Sequence, residues 1–193
     1  PRPPALRRLL DAKLNGEPYD HAAFGQELRS AVDGVVRRQV AVGLDVINDG
    51  EEVKGSWSGY VRDRLGGIEL RPIPPGQRAG MQSRDELGFP EYHANRTPNR
   101  ELGVATTQLV CTGPITYTGL AEVQTDIANF KASLANVSGY QEAFMAAVGP
   151  DNVGYQPGQD AYYSNEQQFM DACAKALHTE YKAITDAGFI LQI

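Results

Sequence analysis

Ala41-Val42-Gly43-Leu44-Asp45-Val46 and Asp186-Ala187-Gly188-Phe189-Ile190-Leu191 spell the same junction twice. Each runs from the end of an apolar-striped segment, through a glycine that stops a helix, into strand-forming residues. One such junction is a weak sign. Two point to a repeating helix–strand unit, which buries its strands in a parallel sheet covered by helices. Ahead of the first junction, Asp20 stands where a helix N-cap is needed. Phe24, Leu28, Val32, Val35, Val36 and Val40 follow it at spacings of three and four. Earlier still, Leu6, Leu9, Leu10 and Leu14 mark a shorter helix that stops at Asn15-Gly16. Beyond the junction, Leu44 to Asn48 reads as a short strand and Asp49-Gly50-Glu51 as a turn.

The alternation continues along the chain. Gly103 to Cys111 reads as a strand ending at Thr112-Gly113-Pro114, and Val123, Ile127, Phe130 and Leu134 mark the next helix. Ala143 to Val148 is an apolar strand. Ser164 with Gln167 reads as a capping box opening a last helix, which continues through Phe169, Cys173, Leu177, Tyr181 and Ile184. Phe189 to Ile193 then begins another strand. No glycine-rich phosphate loop of the dinucleotide or P-loop type is present, which disfavours an open nucleotide-binding sheet. The expected fold is α/β, a (β/α)8 TIM-type barrel of which only the first half is present, about strands 2 to 5 with their helices. Residues 1–193 are then a single incomplete barrel domain. Residues 66–101, rich in Gly, Pro and Arg and without a clear period, read as a long βα-loop insertion, either an active-site lid or wall or a disordered stretch.

With 41% hydrophobic and 22% charged residues the composition is ordinary for a globular chain, and the net charge of −6 disfavours nucleic acid as a partner. No apolar run is long enough to span a membrane, and no signal-peptide pattern opens the chain, so a cytoplasmic location is expected. Cys111 and Cys173 read as reduced thiols. Nothing in the sequence indicates an oligomeric state.

In parallel αβ folds, functional groups gather at the C-terminal ends of the strands. The first such place holds Asn48-Asp49-Gly50-Glu51-Glu52. Its plain reading is a turn. Its functional reading is that Asp49 or Glu51 accepts charge-assisted hydrogen bonds from an ammonium or a hydroxyl. Trp57 and Tyr60, on the next segment, serve packing or binding. The second place offers the hydroxyls of Thr112, Thr116 and Tyr117, with Cys111 as a small apolar wall residue. His21, His93 and His178 stand apart, so neither a metal site nor a nucleophile–histidine unit is expected from these residues.

Pro1-Arg2-Pro3 ahead of a helix, Val40 to Glu51 (VAVGLDVINDGE) with Lys54, Ser56, Tyr60 and Arg62 to Leu65 behind it, CTGPITYTG from Cys111, EAFMAAVGP from Glu142, Tyr162-Tyr163, and EYKAITDAGFILQI from Glu180 form an ordered series. That series covers nearly the whole chain and resembles the cobalamin-independent methionine synthase family. The resemblance implies a (β/α)8 barrel that transfers a methyl or other alkyl group to a zinc-bound thiol, here from 5-methyltetrahydrofolate to homocysteine. It implies that Glu51 holds the amino group of homocysteine and that Tyr60 keeps the family's spacing from it. Asp49, Thr112 and Tyr117 complete the expected substrate-binding set; no catalytic residue or metal ligand is assigned. The family's zinc ligands, a His-x-Cys pair with a glutamate and a later cysteine, and an aspartate directly after Leu191-Gln192-Ile193, are expected beyond this chain, which is read as an N-terminal fragment, inactive by itself.

Two other readings accompany this one. A relative that alkylates a different thiol, such as an epoxyalkane:coenzyme M transferase, would share the Asn48-to-Glu51 turn and the long insertion. A non-catalytic barrel remnant that binds a small molecule is the alternative of another class. A tetrapyrrole decarboxylase-like activity on a related barrel fits the Asp-Gly-Glu turn less well.

Overall fold

The computed structural model describes residues 2–55, 57–73, 84–94, 107–154 and 162–193. Helix α1 (Pro4–Asn15) opens on a proline, whose missing N–H costs nothing in a first turn, and closes on Gly16 in the left-handed region. Helix α2 (His21–Ala41) starts under Asp20, whose carboxylate accepts the Ala22 and Ala23 N–H groups at 2.9 and 3.0 Å. Strand β1 (Val46–Asn48) follows. Helix α3 (Trp57–Arg64) runs straight into strand β2 (Leu65–Pro72), and two short helices, α4 (Arg84–Gly88) and α5 (Pro90–Ala94), precede strand β3 (Thr107–Tyr117). Helix α6 (Leu120–Leu134), strand β4 (Glu142–Ala146), a 3-10 turn over Pro150–Val153, helix α7 (Glu166–Asp186) and strand β5 (Ile190–Gln192) complete the order. The cap of α7 lies at Asn165 instead of Ser164: its short side chain accepts the Gln168 N–H at 3.0 Å, while Oε1 of the Gln168 side chain accepts the Ser164 N–H at 3.3 Å.

Strands β1, β4 and β5 form a parallel sheet in that order, with Asn48 beside Phe144 and Ala146 beside Gln192. Both repeated glycine junctions therefore feed strands of one sheet. Leu28, Val32 and Val36 of α2, Val123 and Phe130 of α6 and Ile184 of α7 bury Ile47 and Met145 in the main core, and Phe130 stacks on Phe189 with centroids 4.9 Å apart. The Gln39 side chain of α2 takes both backbone groups of Asn48: it donates to the carbonyl at 2.8 Å and accepts from the N–H at 3.1 Å.

Two expectations need correction. The segment Gly103 to Cys111 is not a strand of the parallel sheet: from Thr107 it runs on through Gly113-Pro114 to Tyr117, and it pairs antiparallel with β2. Proline is tolerated there because the register shifts between Gly66 and Ile68, and Gly67, at φ 84°, lets the Pro114 carbonyl approach where a Cβ would collide. The 66–101 segment begins as strand β2 and contains α4 and α5; residues 74–83 and 95–101, and with them the lid reading, lie outside the described residues. The α/β expectation with a parallel sheet is met: the described residues form a mixed α/β fold with a three-stranded parallel sheet and a two-stranded ribbon, without a closed barrel among them. The ribbon covers a second core of Val61, Leu65, Ile115, Phe169, Cys173 and Leu177, and the Cys111 thiol, buried there, donates to the Gly113 carbonyl at 3.2 Å. No described helix is long and apolar enough to cross a membrane.

A buried ion pair ties α3 to α6. Arg64 Nη2 lies 2.5 Å from Asp126 Oδ2, and Nη1 donates to the Gly119 carbonyl at 3.2 Å. Burial opposes the guanidinium charge, but Asp126, Glu180 and Tyr60 more than offset it and hold Arg64 protonated. Losing one partner strands the other charge in the interior. Arg64→Met should therefore destabilise the fold by about 3–5 kcal/mol, while Arg64→Met with Asp126→Leu recovers most of that loss in urea melts. The sheet also leaves Val46 and Ile190 exposed on its outer strands, with Val42, Leu44 and Ile193 exposed beside them. The 193-residue chain expressed alone is expected to self-associate. Light scattering that shows a monodisperse monomer with a cooperative melt would contradict this.

Candidate functional site

The turn after β1 is built from its own side chains. Asn48 Oδ1 accepts the Gly50 N–H at 2.7 Å, and Asp49 Oδ1 accepts the Glu51 N–H at 3.1 Å. Gly50 has φ 73°, and a Cβ there would lie 2.8 Å from Val35. Glu51 follows at φ 51°, the one non-glycine residue in the left-handed region among the described residues. Its side chain is half-exposed, whereas Glu52 is buried, with Oε2 lacking a hydrogen-bond partner. The Arg2 guanidinium closes the turn: Nε donates to the Glu52 carbonyl at 2.9 Å, and Nη2 to those of Glu51 and Lys54 at 2.8 and 2.5 Å.

Lys54 joins this turn to the next strand end. Its side chain, only 10% exposed, donates from Nζ to the Ala146 carbonyl at the end of β4. The same ammonium lies 3.8 Å from Glu51 Oε2 and 5.0 Å from the centroid of the Tyr60 ring. Asp49 faces elsewhere: it shares a small pocket with Leu28 and Val32 of α2 and with Asp126 and Asn129 of α6. Burial pushes its carboxyl above the ordinary value, against the pull of Lys54.

Tyr60 and Tyr117 meet on one carboxylate. Both hydroxyls donate to Glu180 of α7, Tyr60 to Oε1 and Tyr117 to Oε2, the latter at 2.8 Å. Burial first, and Glu180 second, raise both phenols well above their ordinary range. Tyr181 donates to the Val148 carbonyl at 2.6 Å, and its phenol is pushed up to about 12 by burial and Glu180. Arg64 lies 5.2 Å from the Tyr60 ring centroid, so this ring has a cation near it from Arg64 as well as from Lys54.

Of the residues singled out in the sequence, Glu51 and Tyr60 are thus linked through Lys54, and Tyr60 and Tyr117 through Glu180. Asp49 stands beside Glu51 but points into the helix layer. Thr112 is half-buried in the bulged part of β3, and no described contact ties it to the others. Arg2, Lys54, Arg64, Asp126 and Glu180 were not assigned site roles by sequence reasoning. A signal existed for two of them: Asp126 stands three residues after Val123 and four before Phe130, and Glu180 three after Leu177 and four before Ile184, so each is a carboxylate inside an apolar stripe. Among the described residues no group of three or more His, Cys, Asp or Glu side chains could hold a metal ion. The donor set expected for zinc does not fit these residues.

No family model matches the chain. It is similar to the 5-methyltetrahydropteroyltriglutamate–homocysteine methyltransferase of Nitratidesulfovibrio vulgaris, with 26% identity over 95% of this chain and 25% of that protein. The chain therefore spans about a quarter of this curated relative's length. In structure it is similar to a B12-independent methionine synthase from Shewanella sp. W3-18-1, solved with selenomethionine, at a TM-score of 0.60 and 16% identity over 90% of this chain and 42% of that one. A putative vitamin-B12 independent methionine synthase from Listeria monocytogenes gives the same TM-score of 0.60, at 19% identity over 97% of this chain and 47% of that one. At these identities the structural likeness speaks for the fold, and the sequence match carries the relationship. The resemblance read from the ordered motifs is borne out: in sequence and in fold, this chain is similar to part of the cobalamin-independent methionine synthases.

Proposed function

We propose that this chain supplies the amino-acid-binding end of a thiol methyltransferase that moves a methyl group from a reduced folate to homocysteine. The observation that carries the reading is Glu51, a half-exposed carboxylate at the C-terminal end of a parallel strand, held outward by a left-handed backbone. A carboxylate there can accept charge-assisted hydrogen bonds from the ammonium of an amino acid. Lys54, 3.8 Å away and anchored on β4, limits the directions in which that carboxylate can point. With their hydroxyls bound to Glu180, Tyr60 and Tyr117 contribute a shaped, rigid wall, and Thr112 supplies a hydroxyl from the bulge of β3. Asp49 builds the turn, its oxygen on the Glu51 N–H.

Zinc in this family would supply an activated thiolate. Its ligands are not formed by the described residues, so the part proposed for this chain is to bind and orient the thiol substrate. Half-barrel architecture, a wall or lid role for residues 66–101, and a cytoplasmic location belong to the same proposal. A thiol carrying a sulfonate, as in coenzyme M, is a second reading, favoured by the buried Lys54 ammonium beside Glu51.

Calorimetry on the protein as expressed from its gene tests the first reading. L-homocysteine should bind about tenfold or more tightly than 4-mercaptobutanoate, which lacks only the amino group, and Glu51→Gln should erase the difference. Equal affinities for the two thiols would sink the role of Glu51, and preferential binding of 2-mercaptoethanesulfonate would favour the second reading. The turn also has a pH signature. The folded pKa of Asp49 is raised above its unfolded value of 3.8, so in the window above 3.8 the folded chain keeps a proton that the unfolded chain has lost. Stability from this group therefore rises as pH falls through that window, and the charged carboxylate costs stability at neutral pH. Asp49→Asn, which keeps an acceptor for the Glu51 N–H, should raise Tm by a few degrees at pH 7, with the gain shrinking toward pH 4.

A further inference from the structure

We propose that Arg2 is a positioning residue for the Glu51 carboxylate: its grip on three backbone carbonyls selects the left-handed conformation that aims Glu51 at substrate. The inference rests on the reading of Glu51 as the ammonium ligand and adds to it the residue that makes the orientation possible.

Three features of the contact support it. First, the three acceptors are the carbonyls of Glu51, Glu52 and Lys54, so the guanidinium brackets the Glu51 backbone on its C-terminal side. The planar fork of an arginine can serve several converging acceptors, which the point charge of a lysine cannot do with the same geometry. Second, the contact is not local: 49 to 52 residues separate the partners, so α1 and the turn must already be docked for it to form. Arg2 is followed by Pro3, at φ −55° and ψ 140°, and by Pro4 at the start of α1, so little freedom separates the guanidinium from a packed helix. Leu6 and Leu10 of that helix are buried, which anchors the donor side.

Third, the turn contains a conformation that needs holding. Glycine takes a positive φ without penalty, but Glu51 does not, and it sits directly after Gly50 in that region. The Asp49 side chain accepts the Glu51 N–H, and the Lys54 N–H donates to the Glu51 carbonyl at 3.0 Å. Arg2 adds a second, charged donor to that same carbonyl. Without it, the Glu51 peptide can rotate toward ordinary negative φ, and the side chain swings with the backbone. Lys54, whose carbonyl also binds Arg2, would lose one of the constraints that place its ammonium near Glu51.

The test compares wild type, Arg2→Ala and Arg2→Lys in the protein as expressed from its gene, with urea melts to confirm that each variant is folded. Arg2→Ala should weaken L-homocysteine about tenfold while changing 4-mercaptobutanoate by less than about twofold. Guanidinium at non-denaturing concentration should restore homocysteine affinity in Arg2→Ala, and Arg2→Lys should recover only part of it. A purely structural staple would weaken both thiols alike and show no rescue, and that result overturns the proposal. A crystal structure of Arg2→Ala gives a readout independent of the ligand: Glu51 should leave the left-handed region, and an unchanged φ there overturns the proposal. Should wild type fail to distinguish the two thiols while Glu51 moves in Arg2→Ala, the ligand role of Glu51 fails and the positioning by Arg2 stands.

Discussion

One buried carboxylate holds the two parts of this structure in register. Glu180 lies on the apolar stripe of α7, where a charge costs several kcal/mol unless its oxygens find donors. It finds them in Tyr60 of α3 and Tyr117 of β3, with Arg64 close enough to contribute. Neither tyrosine can move without leaving the carboxylate short of a hydrogen bond, so α3 and the antiparallel ribbon are pinned to a helix that packs beside the parallel sheet. The Tyr60 ring in turn carries the Lys54 ammonium, and Lys54 reaches both the end of β4 and Glu51. The site at the strand ends thus inherits its geometry from a polar contact in the helix layer.

The sequence could carry this only in part, for physical reasons that differ by element. Helices α1 and α2 were legible because period, cap and glycine stop agree at Asp20, Gly16 and Gly43. The parallel sheet was legible through its repeated junction, which identified β1 and β5 as equivalent. Strand β3 was found, but its partner and direction were not. The glycines at 66, 67 and 113 blur the alternation, and antiparallel pairing with β2 spans residues that show no period. Glu51 could be singled out from a turn at a strand end, and the resemblance to methionine synthases supplied the role proposed for it. The carboxylates that organise the interior, Asp126 and Glu180, stood in plain sight at core positions. A polar residue in an apolar stripe signals a partner without naming it, and Arg64 and the two tyrosines are distant in sequence.

The two acids of the Asp-Gly-Glu turn illustrate how neighbours of one residue type take opposite tasks. Asp49 is buried, its carboxyl discouraged from ionising, and it spends an oxygen on the next backbone but one. Glu51 is left half in solvent beside a lysine. The intervening glycine makes the division possible: Val35 of α2 fills the space that any side chain at position 50 would need, so α2 presses the turn into the shape that separates them.

The amide of Gln39 acts on the same strand from the opposite side. By giving and taking one hydrogen bond with Asn48 it imitates a neighbouring strand one residue long. A further strand pairing along β1 as far as Asn48 would have to displace that amide, so the helix holds the last backbone groups of the strand just where the Asp-Gly-Glu turn begins. The end of this edge strand is thereby tied to α2 itself, and the turn that follows starts from a backbone already held on both sides, by Gln39 and by β4.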